Sequence, residues 1–241
     1  MPELSTRTVE RALSLLGSVC DAGRLSLADA ARAAALSPST ALRLLRTLET
    51  AGFLRRDDDG AFRPGLRIVQ LGAQALAADS LVSLATPALK RLVAATGESA
   101  YLSVLSRAGE DQRTGQEGAD QLNGSGCYLA MEEGTHSVRH TSWVGRSIPL
   151  AGTAAGTALA GAVPAAGFVL VEGGVEADVT AVAAPVMAGD RVVAALSVVA
   201  PSYRVSATQA RELGVLVAAE ARRLLQPAGP ESHDAHQVRT A

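Results

Sequence analysis

Residues 36–51 read L-S-P-S-T-A-L-R-L-L-R-T-L-E-T-A, and the architecture of the N-terminal part of the chain can be predicted from them. Ser37 is a favourable N-cap and Pro38 suits the first helical position, so a helix is predicted to begin here. Its apolar side consists of Leu42, Leu45 and Leu48. The opposite side carries hydroxyl groups and positive charge without a carboxylate, contributed by Ser39, Arg43, Arg46 and Thr50 with Thr40 and Thr47 at its flanks. Such a side is either an ordinary solvated surface or one that binds DNA.

The neighbouring segments favour the DNA-binding interpretation. Upstream, residues 26–35 predict a short helix that starts with a Ser N-cap, and residues 36–37 leave only a tight turn before the next helix. Downstream, residues 53–56 and 61–63 predict two strands joined by an Asp-Gly turn at residues 57–60. A hairpin that follows the second of two such helices predicts a winged helix-turn-helix, whose second helix enters the major groove of DNA.

The predicted DNA contacts come from this second helix and from the wing. Arg side chains suit bidentate hydrogen bonding to guanine in the major groove, and Arg side chains on the wing suit phosphate contacts. The acidic tip at residues 57–59 is expected to be repelled by phosphates and to stay out of the minor groove. The predicted DNA-binding residues are Ser37, Ser39, Thr40, Arg43, Arg46, Thr47, Arg55 and Arg63.

Composition excludes several other classes of protein. The 241 residues suggest one or two domains, and 48% hydrophobic residues supply a core although only 3% are aromatic. A net charge of −2 argues against coating nucleic acid by bulk charge, but it allows a local basic face. Cys20 and Cys127 are too few for a disulfide framework and are expected to be small core residues. Without an apolar leader or a long apolar run, the chain is expected to be soluble and cytoplasmic, with no membrane partner.

Hydrophobic periodicity predicts the remaining elements. Residues 8–21 are predicted to form the first helix of a three-helix core, residues 66–78 a linker helix, and residues 81–96 a helix that Pro87 kinks or divides. Strands are predicted at residues 101–105, 127–131, 168–171, 180–186 and 191–199, with an irregular strand from residues 136–140 and 143–145. A small-residue helix is predicted at residues 153–161, a closing helix at 207–226, and a long flexible loop at 108–126.

Four motifs, in this order, resemble the IclR family of bacterial transcriptional regulators. They are S-T-R-T-V-E-R-A-L-S-L-L from residue 5, S-P-S-T-A-L-R-L-L-R-T-L-E-T-A-G-F-L-R-R from residue 37, P-L-A-G-T-A-A-G-T-A-L-A from residue 149 and V-A-A-P-V-M-A-G-D-R-V-V-A-A-L-S-V-V-A-P from residue 182. The resemblance covers about residues 5–226 and implies an α+β fold. It also implies a homodimer or a dimer of dimers that binds double-stranded DNA at a palindromic operator and senses a small-molecule effector.

The resemblance implies the following domain organisation. Residues 5–65 are expected to form the winged helix-turn-helix domain, 66–79 the linker helix, 80–226 a GAF-like α/β effector-binding and dimerisation domain, and 227–241 a disordered tail. The sequence departs from the family in two places. Only residues 161–166 connect two motifs that the family separates by a longer, largely helical segment, and residues 108–126 replace a short hairpin turn. The effector domain is therefore expected to be shortened and its pocket to be more open.

The family's effector site can be transferred residue by residue. Its helix-start amides fall at Ala154 and Ala155, a Cys becomes Ala181, and two Ser become Ser197 and Val199, so few polar anchors persist. We expect an apolar or amphipathic effector. The alternative is an effector-independent regulator whose C-terminal domain serves only dimerisation or protein interaction.

Cys127, His136 and His140 lack a fourth metal ligand, so no metal site is expected. No catalytic set of residues is evident either, so no cofactor and no enzymatic activity are expected.

Overall fold

The structure is a computed structural model that describes residues 6–106, 124–140 and 142–226 and divides into two compact units at Asp79. The first unit contains α1 (Arg7–Ala22), α2 (Leu27–Ala33), α3 (Pro38–Thr50), β1 (Leu54–Arg56), β2 (Phe62–Pro64) and α4 (Leu66–Ala78). The second contains α5 (Ser80–Thr96), β3 (Ser99–Ser106), β4 (Ser125–Glu132), β5 (Ser147–Pro149), α6 (Ala154–Leu159), β6 (Val169–Glu172), β7 (Val179–Ala188), β8 (Arg191–Pro201) and α7 (Ala207–Arg223). The predicted α+β fold with an N-terminal helix-turn-helix is confirmed.

In the first unit, three helices pack around a small apolar core that the wing closes. Leu15 and Val19 of α1 meet Leu45 of α3, and Leu54 and Phe62 of the wing complete the cluster. The side of α3 that enters this core is centred on Ala41, Leu44 and Leu45, whereas Leu42 and Leu48 lie at its margin. Strands β1 and β2 pair antiparallel as predicted, and Leu25 adds a further backbone bridge to Phe62.

In the second unit, six antiparallel strands form one sheet in the order β5-β4-β3-β8-β7-β6. Helices α5 and α7 cover one face, where Ala194, Leu196 and Val198 of β8 enter their core. The intervening side chains of β8 point to the other face, where α6 packs on β7 and β8. Arg91 of α5 donates to both carboxylate oxygens of Glu220 on α7 at 2.6 to 3.2 Å, which links the two helices.

Several local predictions are corrected. Residues 136–140 and 143–145 form bends and turns rather than a strand, and the edge strand is β5 instead. The Thr135 amide donates to the Gly97 carbonyl and the Gly145 amide to the Tyr128 carbonyl, so isolated backbone hydrogen bonds anchor this segment instead of a strand ladder. Pro87 lies inside α5 without dividing it, α7 ends at Arg223, and both cysteines are half-buried. The flexible loop falls mostly on residues 107–123 and the disordered tail on 227–241, which lie outside the described residues.

Within residues 6–106, 124–140 and 142–226, no single helix combines the length and the apolar character needed to cross a membrane, and only α4 and α5 counted together as one interrupted segment meet that criterion.

The turn between α2 and α3 contains an unusual backbone conformation. Ala35 has a φ of 51°, the one positive φ among the described non-glycine residues. The Leu36 N–H donates to the Ala31 carbonyl and the Ala35 N–H to the Arg32 carbonyl, which is the Schellman arrangement that ends a helix and normally places Gly at this position. The tight turn therefore depends on hydrogen bonding that compensates for the left-handed alanine.

Replacing Ala35 by Gly should raise the free energy of unfolding by about 0.5–1 kcal/mol, because the relief of left-handed strain exceeds the extra entropy of the unfolded chain. Chemical denaturation measures the change. Ala33→Gly is the matched control, since it places Gly in ordinary helix and should lower the free energy of unfolding by a similar amount. Destabilisation by both substitutions would contradict the strain argument.

Candidate DNA-binding surface and effector site

The outer side of α3 presents polar side chains that are available for contact. Arg43 and Arg46 are exposed, and neither forms an ion pair or a side-chain hydrogen bond with another described residue. Ser39 is exposed on the same side, one turn closer to the start of the helix. Two guanidinium groups without internal partners are suited to hydrogen bonding with base edges or phosphates.

Three other predicted DNA-binding residues have internal roles. The Ser37 hydroxyl accepts from the Thr40 amide at 3.3 Å and donates to the Thr40 hydroxyl at 2.9 Å, so it caps the start of α3. The Thr47 hydroxyl donates to the Arg43 carbonyl at 3.1 Å. The Ser37 and Thr47 hydroxyls donate their protons in these bonds, whereas the Thr40 hydroxyl accepts and keeps its own proton as a donor.

The wing holds its arginines against carboxylates. Asp57 Oδ2 accepts from Arg63 Nε at 2.5 Å and from Arg24 Nε at 3.3 Å, and Arg55 Nη1 lies 3.6 Å from Asp57 Oδ1. Arg24 also contacts Asp59 through Nη2. We call Arg24, Arg55, Asp57, Asp59 and Arg63 the wing cluster. Arginines compensate the charges of Asp57 and Asp59, so the expected repulsion of the tip by phosphates stays a prediction that rests on Asp58.

The ionisation of Asp57 reflects these contacts. The hydrogen bond from Arg63 lowers the pKa of the Asp57 carboxyl, and the charge of Arg63, the hydrogen bond from Arg24 and the charge of Arg55 lower it further. Arg24 was missed by sequence reasoning because it lies 33 residues before its partner. Two features of the sequence could have pointed to Arg24. It follows directly after Gly23, which ends α1, and it precedes Leu25, which forms a backbone bridge to Phe62 of the hairpin.

The five residues transferred from the family's effector site lie in one layer of the second unit. Ala154, Ala155 and Val199 belong to the apolar cluster between α6 and the sheet, with Ala181 packed against it. Ser197 shares their face of the sheet because it alternates with Leu196 and Val198 along β8. The structure thus brings the five positions to the same layer.

This layer is closed rather than open. Ala154, Ala155, Ser197 and Val199 are all buried, and an added Cβ at Gly156 would clash with the backbone of Pro149 and Leu150. The Thr153 hydroxyl accepts from the Gly156 amide at 3.0 Å, so it caps the start of α6. The expectation of a more open pocket is wrong for the described conformation, because α6 is pressed directly against the sheet.

Ser197 differs from its apolar neighbours. Its side chain is 1% exposed, and its hydroxyl has no hydrogen-bond partner among the residues that the structure describes. A buried hydroxyl without a partner costs roughly 1–3 kcal/mol of desolvation. Ser197 is therefore a polar exception among the apolar residues of this layer.

An aromatic cluster that sequence reasoning missed fills the same layer. The ring centroids of Tyr101 and Tyr128 are 5.1 Å apart, and those of Tyr128 and Trp143 are 5.2 Å apart. The Tyr101 hydroxyl lies 2.9 Å from His140 Nδ1, and His140 Nε2 lies 3.5 Å from Glu176 Oε2. The sequence offered one indication of this cluster, which is that aromatic residues are scarce in the chain. The single Trp and two of the three Tyr of the chain lie together here.

Burial keeps the two tyrosines neutral. It raises the pKa of Tyr128 to about 12, and it raises that of Tyr101 even further, with the charges of Tyr128, Glu133 and Glu176 adding to the effect. Tyr101 therefore retains its proton near neutral pH. A neutral phenol beside an imidazole can donate a hydrogen bond to it or accept one from it, depending on the His140 tautomer.

The residues considered for a metal site separate in the structure. His140 belongs to the aromatic cluster, whereas His136 Nε2 lies 3.6 Å from Glu98 Oε1. Arg204 Nε lies 2.9 Å from the same oxygen. Burial raises the pKa of the Glu98 carboxyl, and the charges of Arg204 and His136 oppose this rise. No group of three or more possible metal ligands occurs within residues 6–106, 124–140 and 142–226.

Comparison with known proteins identifies a family model and several similar proteins. A family model of the IclR helix-turn-helix domain matches residues 8–58. The transcriptional repressor IclR of Escherichia coli (strain K12) is 26% identical over 154 residues, which cover 63% of this chain and 51% of that protein. The glycerol operon regulatory protein of Streptomyces coelicolor is 33% identical over 105 residues, 43% of this chain and 41% of that protein. The chain spans about half the length of the curated relatives it matches.

Solved structures resemble nearly the whole chain. An IclR transcriptional regulator from Alicyclobacillus acidocaldarius superposes with a TM-score of 0.74 at 20% identity, covering 91% of this chain and 98% of that one. An IclR homologue from Microbacterium hydrocarbonoxydans, complexed with 4-hydroxybenzoate, superposes with a TM-score of 0.66 at 22% identity, covering 90% and 98%. At 20% and 22% identity, this similarity establishes only the fold of the chain.

The buried tyrosines predict a loss of stability in alkali. Unfolded Tyr128 releases its proton near pH 10 but folded Tyr128 only near 12, so the free energy of unfolding should be constant below about pH 9 and fall above pH 10. The fall attributable to Tyr128 is about 2–3 kcal/mol when complete. Denaturant titrations at several pH values measure it. Tyr128→Phe should flatten part of this slope, and an unchanged slope in the variant would contradict the assignment.

Proposed function

The chain belongs to the IclR family of transcriptional regulators, and from this premise we propose that it is a sequence-specific DNA-binding regulator whose second unit senses a small molecule. The observation that carries the DNA-binding part is the outer side of α3, where Arg43 and Arg46 lack partners within the described residues. The N-cap of α3 and the tight turn at Ala35 hold this helix in a fixed position, which supports the proposal that its outer side is a rigid surface. The arrangement suits insertion into the major groove.

We propose that the protein acts as a homodimer or a dimer of dimers on a palindromic operator. Helix α4 supports this proposal, because none of its residues is buried and Leu66 and Val69 are 69% and 63% exposed. Val9 and Leu13 of α1 are likewise exposed. Exposed apolar side chains of this kind mark contact surfaces, and linking two weak DNA-binding modules raises their combined affinity. Sedimentation at micromolar concentration tests the oligomeric state.

The proposed effector is apolar or amphipathic. The walls around Ala181 and Val199 are apolar, the aromatic cluster offers ring surfaces, and the Ser197 hydroxyl and the Tyr101–His140 pair offer polar contacts. The relative from Microbacterium hydrocarbonoxydans was solved with 4-hydroxybenzoate, which makes this compound the first probe to test. Because the layer is closed, binding requires α6 or the segment around Trp143 to move.

A second candidate function is an effector-independent regulator whose second unit serves only dimerisation or protein interaction. The closed layer supports it, since buried side chains fill the layer that contains the five residues transferred from the family's effector site. Under either function, we propose that the protein is not an enzyme, needs no cofactor and meets its DNA in the cytoplasm. The relatives named above are regulators, and this supports the proposal.

Arg43→Ala should weaken operator binding by about 1–3 kcal/mol and relax the sequence preference at one operator position, because a bidentate contact to a base edge is lost. The operator is first recovered by selection from random duplexes with the unmodified protein. Arg211→Ala removes the same charge from an exposed position on α7 and should leave operator binding unchanged. Equal losses on operator and on random DNA would show that Arg43 contacts only phosphate.

Ala155→Leu should abolish the rise in melting temperature that an effector causes while operator binding persists. The larger side chain occupies the buried layer and costs about 1–3 kcal/mol of stability. The probes are 4-hydroxybenzoate and a panel of apolar and amphipathic acids, and exposed Ala151→Leu is the matched control. A variant that responds like the unmodified protein would refute this site. If no probe stabilises the unmodified protein, the effector-independent function is favoured.

A further inference from the structure

The wing cluster joins residues from separate parts of the chain. Arg24 lies between α1 and α2, Arg55 lies on β1 and Arg63 on β2, and all three reach the carboxylate of Asp57. Arg55 and Arg63 occupy directly paired positions of the hairpin. One carboxylate therefore connects both strands of the wing with the segment that follows the first helix.

The geometry leaves the outer atoms of Arg63 available. Arg63 binds Asp57 through Nε, so its two terminal nitrogens have no partner among the described residues. The Asp57 side chain is 20% exposed and that of Arg63 is 41% exposed, so the guanidinium group remains accessible while Asp57 binds it. A guanidinium bound through Nε keeps its terminal N–H groups as donors, and such groups can bind a phosphate with two hydrogen bonds.

Asp57 itself is held on a rigid turn. Its amide donates to the Ala61 carbonyl at 2.8 Å, and its carbonyl accepts from the Gly60 amide at 2.9 Å. The Asp59 carboxylate accepts from the Ala61 amide at 3.2 Å and contacts Arg24. The backbone of Asp57 is thus held in the turn by hydrogen bonds, so its carboxylate extends toward the arginines from a defined position.

We propose that Asp57 is a positioning residue for DNA recognition: it holds Arg63 in the orientation in which it contacts phosphates beside the operator, and it thereby raises the preference for operator over random DNA. This inference rests on the proposed function, that the first unit binds an operator. Phosphate contacts fix the orientation of a protein on the duplex, and side chains ordered in advance lose less entropy on docking. The negative charge of the carboxylate also offsets one positive charge of the wing, which would otherwise strengthen binding to any DNA.

Asp58 provides a matched control in the same turn. It is exposed and forms no ion pair with another described residue, so Asp58→Asn changes the net charge by the same amount as Asp57→Asn without releasing an arginine. Dissociation constants are measured for the full chain on its selected operator and on a random duplex, each at several salt concentrations. The ratio of the two constants reports the preference, and the salt dependence reports the number of phosphates contacted.

Asp58→Asn should strengthen binding to both duplexes by one common factor and leave the preference unchanged. Asp57→Asn should strengthen binding to random DNA but lower the preference for the operator by about threefold to tenfold, since the Arg63 side chain loses its ordering. Asp57→Glu keeps the charge and should restore part of the preference. Arg63→Lys also keeps the charge but lacks the guanidinium fork, so it should lower the preference without the gain on random DNA.

Other outcomes would overturn the inference. Equal strengthening of both duplexes by Asp57→Asn and Asp58→Asn would show that Asp57 only reduces charge. A melting temperature lowered in Asp57→Asn, with an unchanged preference in the folded Arg63→Lys variant, would show a purely structural role. If the unmodified protein does not prefer any selected duplex over random DNA, the proposed function itself fails. If the unmodified protein shows this preference and Asp57→Asn leaves it intact, only the inference about Asp57 fails.

Discussion

The second unit depends on the burial of both faces of β8. This strand pairs with β3 on one side and β7 on the other, so its backbone hydrogen bonds are used in both directions. Leu196 and Val198 require α5 and α7 on one face, and Ala195 and Val199 require α6 and the aromatic cluster on the other. A strand covered on both faces admits almost only apolar residues, which explains why Ser197 is conspicuous within it.

The same constraint links stability to possible sensing. Small side chains at Ala154 and Ala155 let α6 approach the sheet closely, and the large rings of Tyr101, Tyr128 and Trp143 fill the remaining space. A ligand in this layer must displace part of that packing, so its affinity would be reduced by the cost of opening the layer. The Ser197 hydroxyl, which lacks a partner among the described residues, is a group that an incoming polar atom could satisfy. Closed packing and effector binding are thus opposing demands on one set of residues.

Local chemistry explains which parts were predictable. The caps at Ser26 and Ser37 and the Gly189-Asp190 turn act within a few residues, so the helix-turn-helix and the β7–β8 hairpin could be predicted from the sequence. The wing cluster and the Tyr101–His140 contact join residues 33 and 39 positions apart, and no local pattern encodes such pairs. The segment before β5 was mistaken for a strand for a similar reason, since backbone bonds to distant Gly97 and Tyr128 determine its path.

The distribution of charge in the first unit separates two kinds of arginine. Arg43 and Arg46 on α3 have no carboxylate among the described residues to hold them, so they are free to adjust to base edges, whereas Arg24 and Arg63 are already ordered by Asp57. With a net charge of −2, the chain has no bulk attraction for DNA, and affinity must come from these few groups. In the proposed function, the arginines of α3 contribute to reading the sequence, and the arginine that Asp57 orders contributes to fixing the docked orientation. Carboxylates in the wing are therefore compatible with DNA binding. They lower the affinity for DNA of any sequence, but they fix the orientation of the arginine side chains.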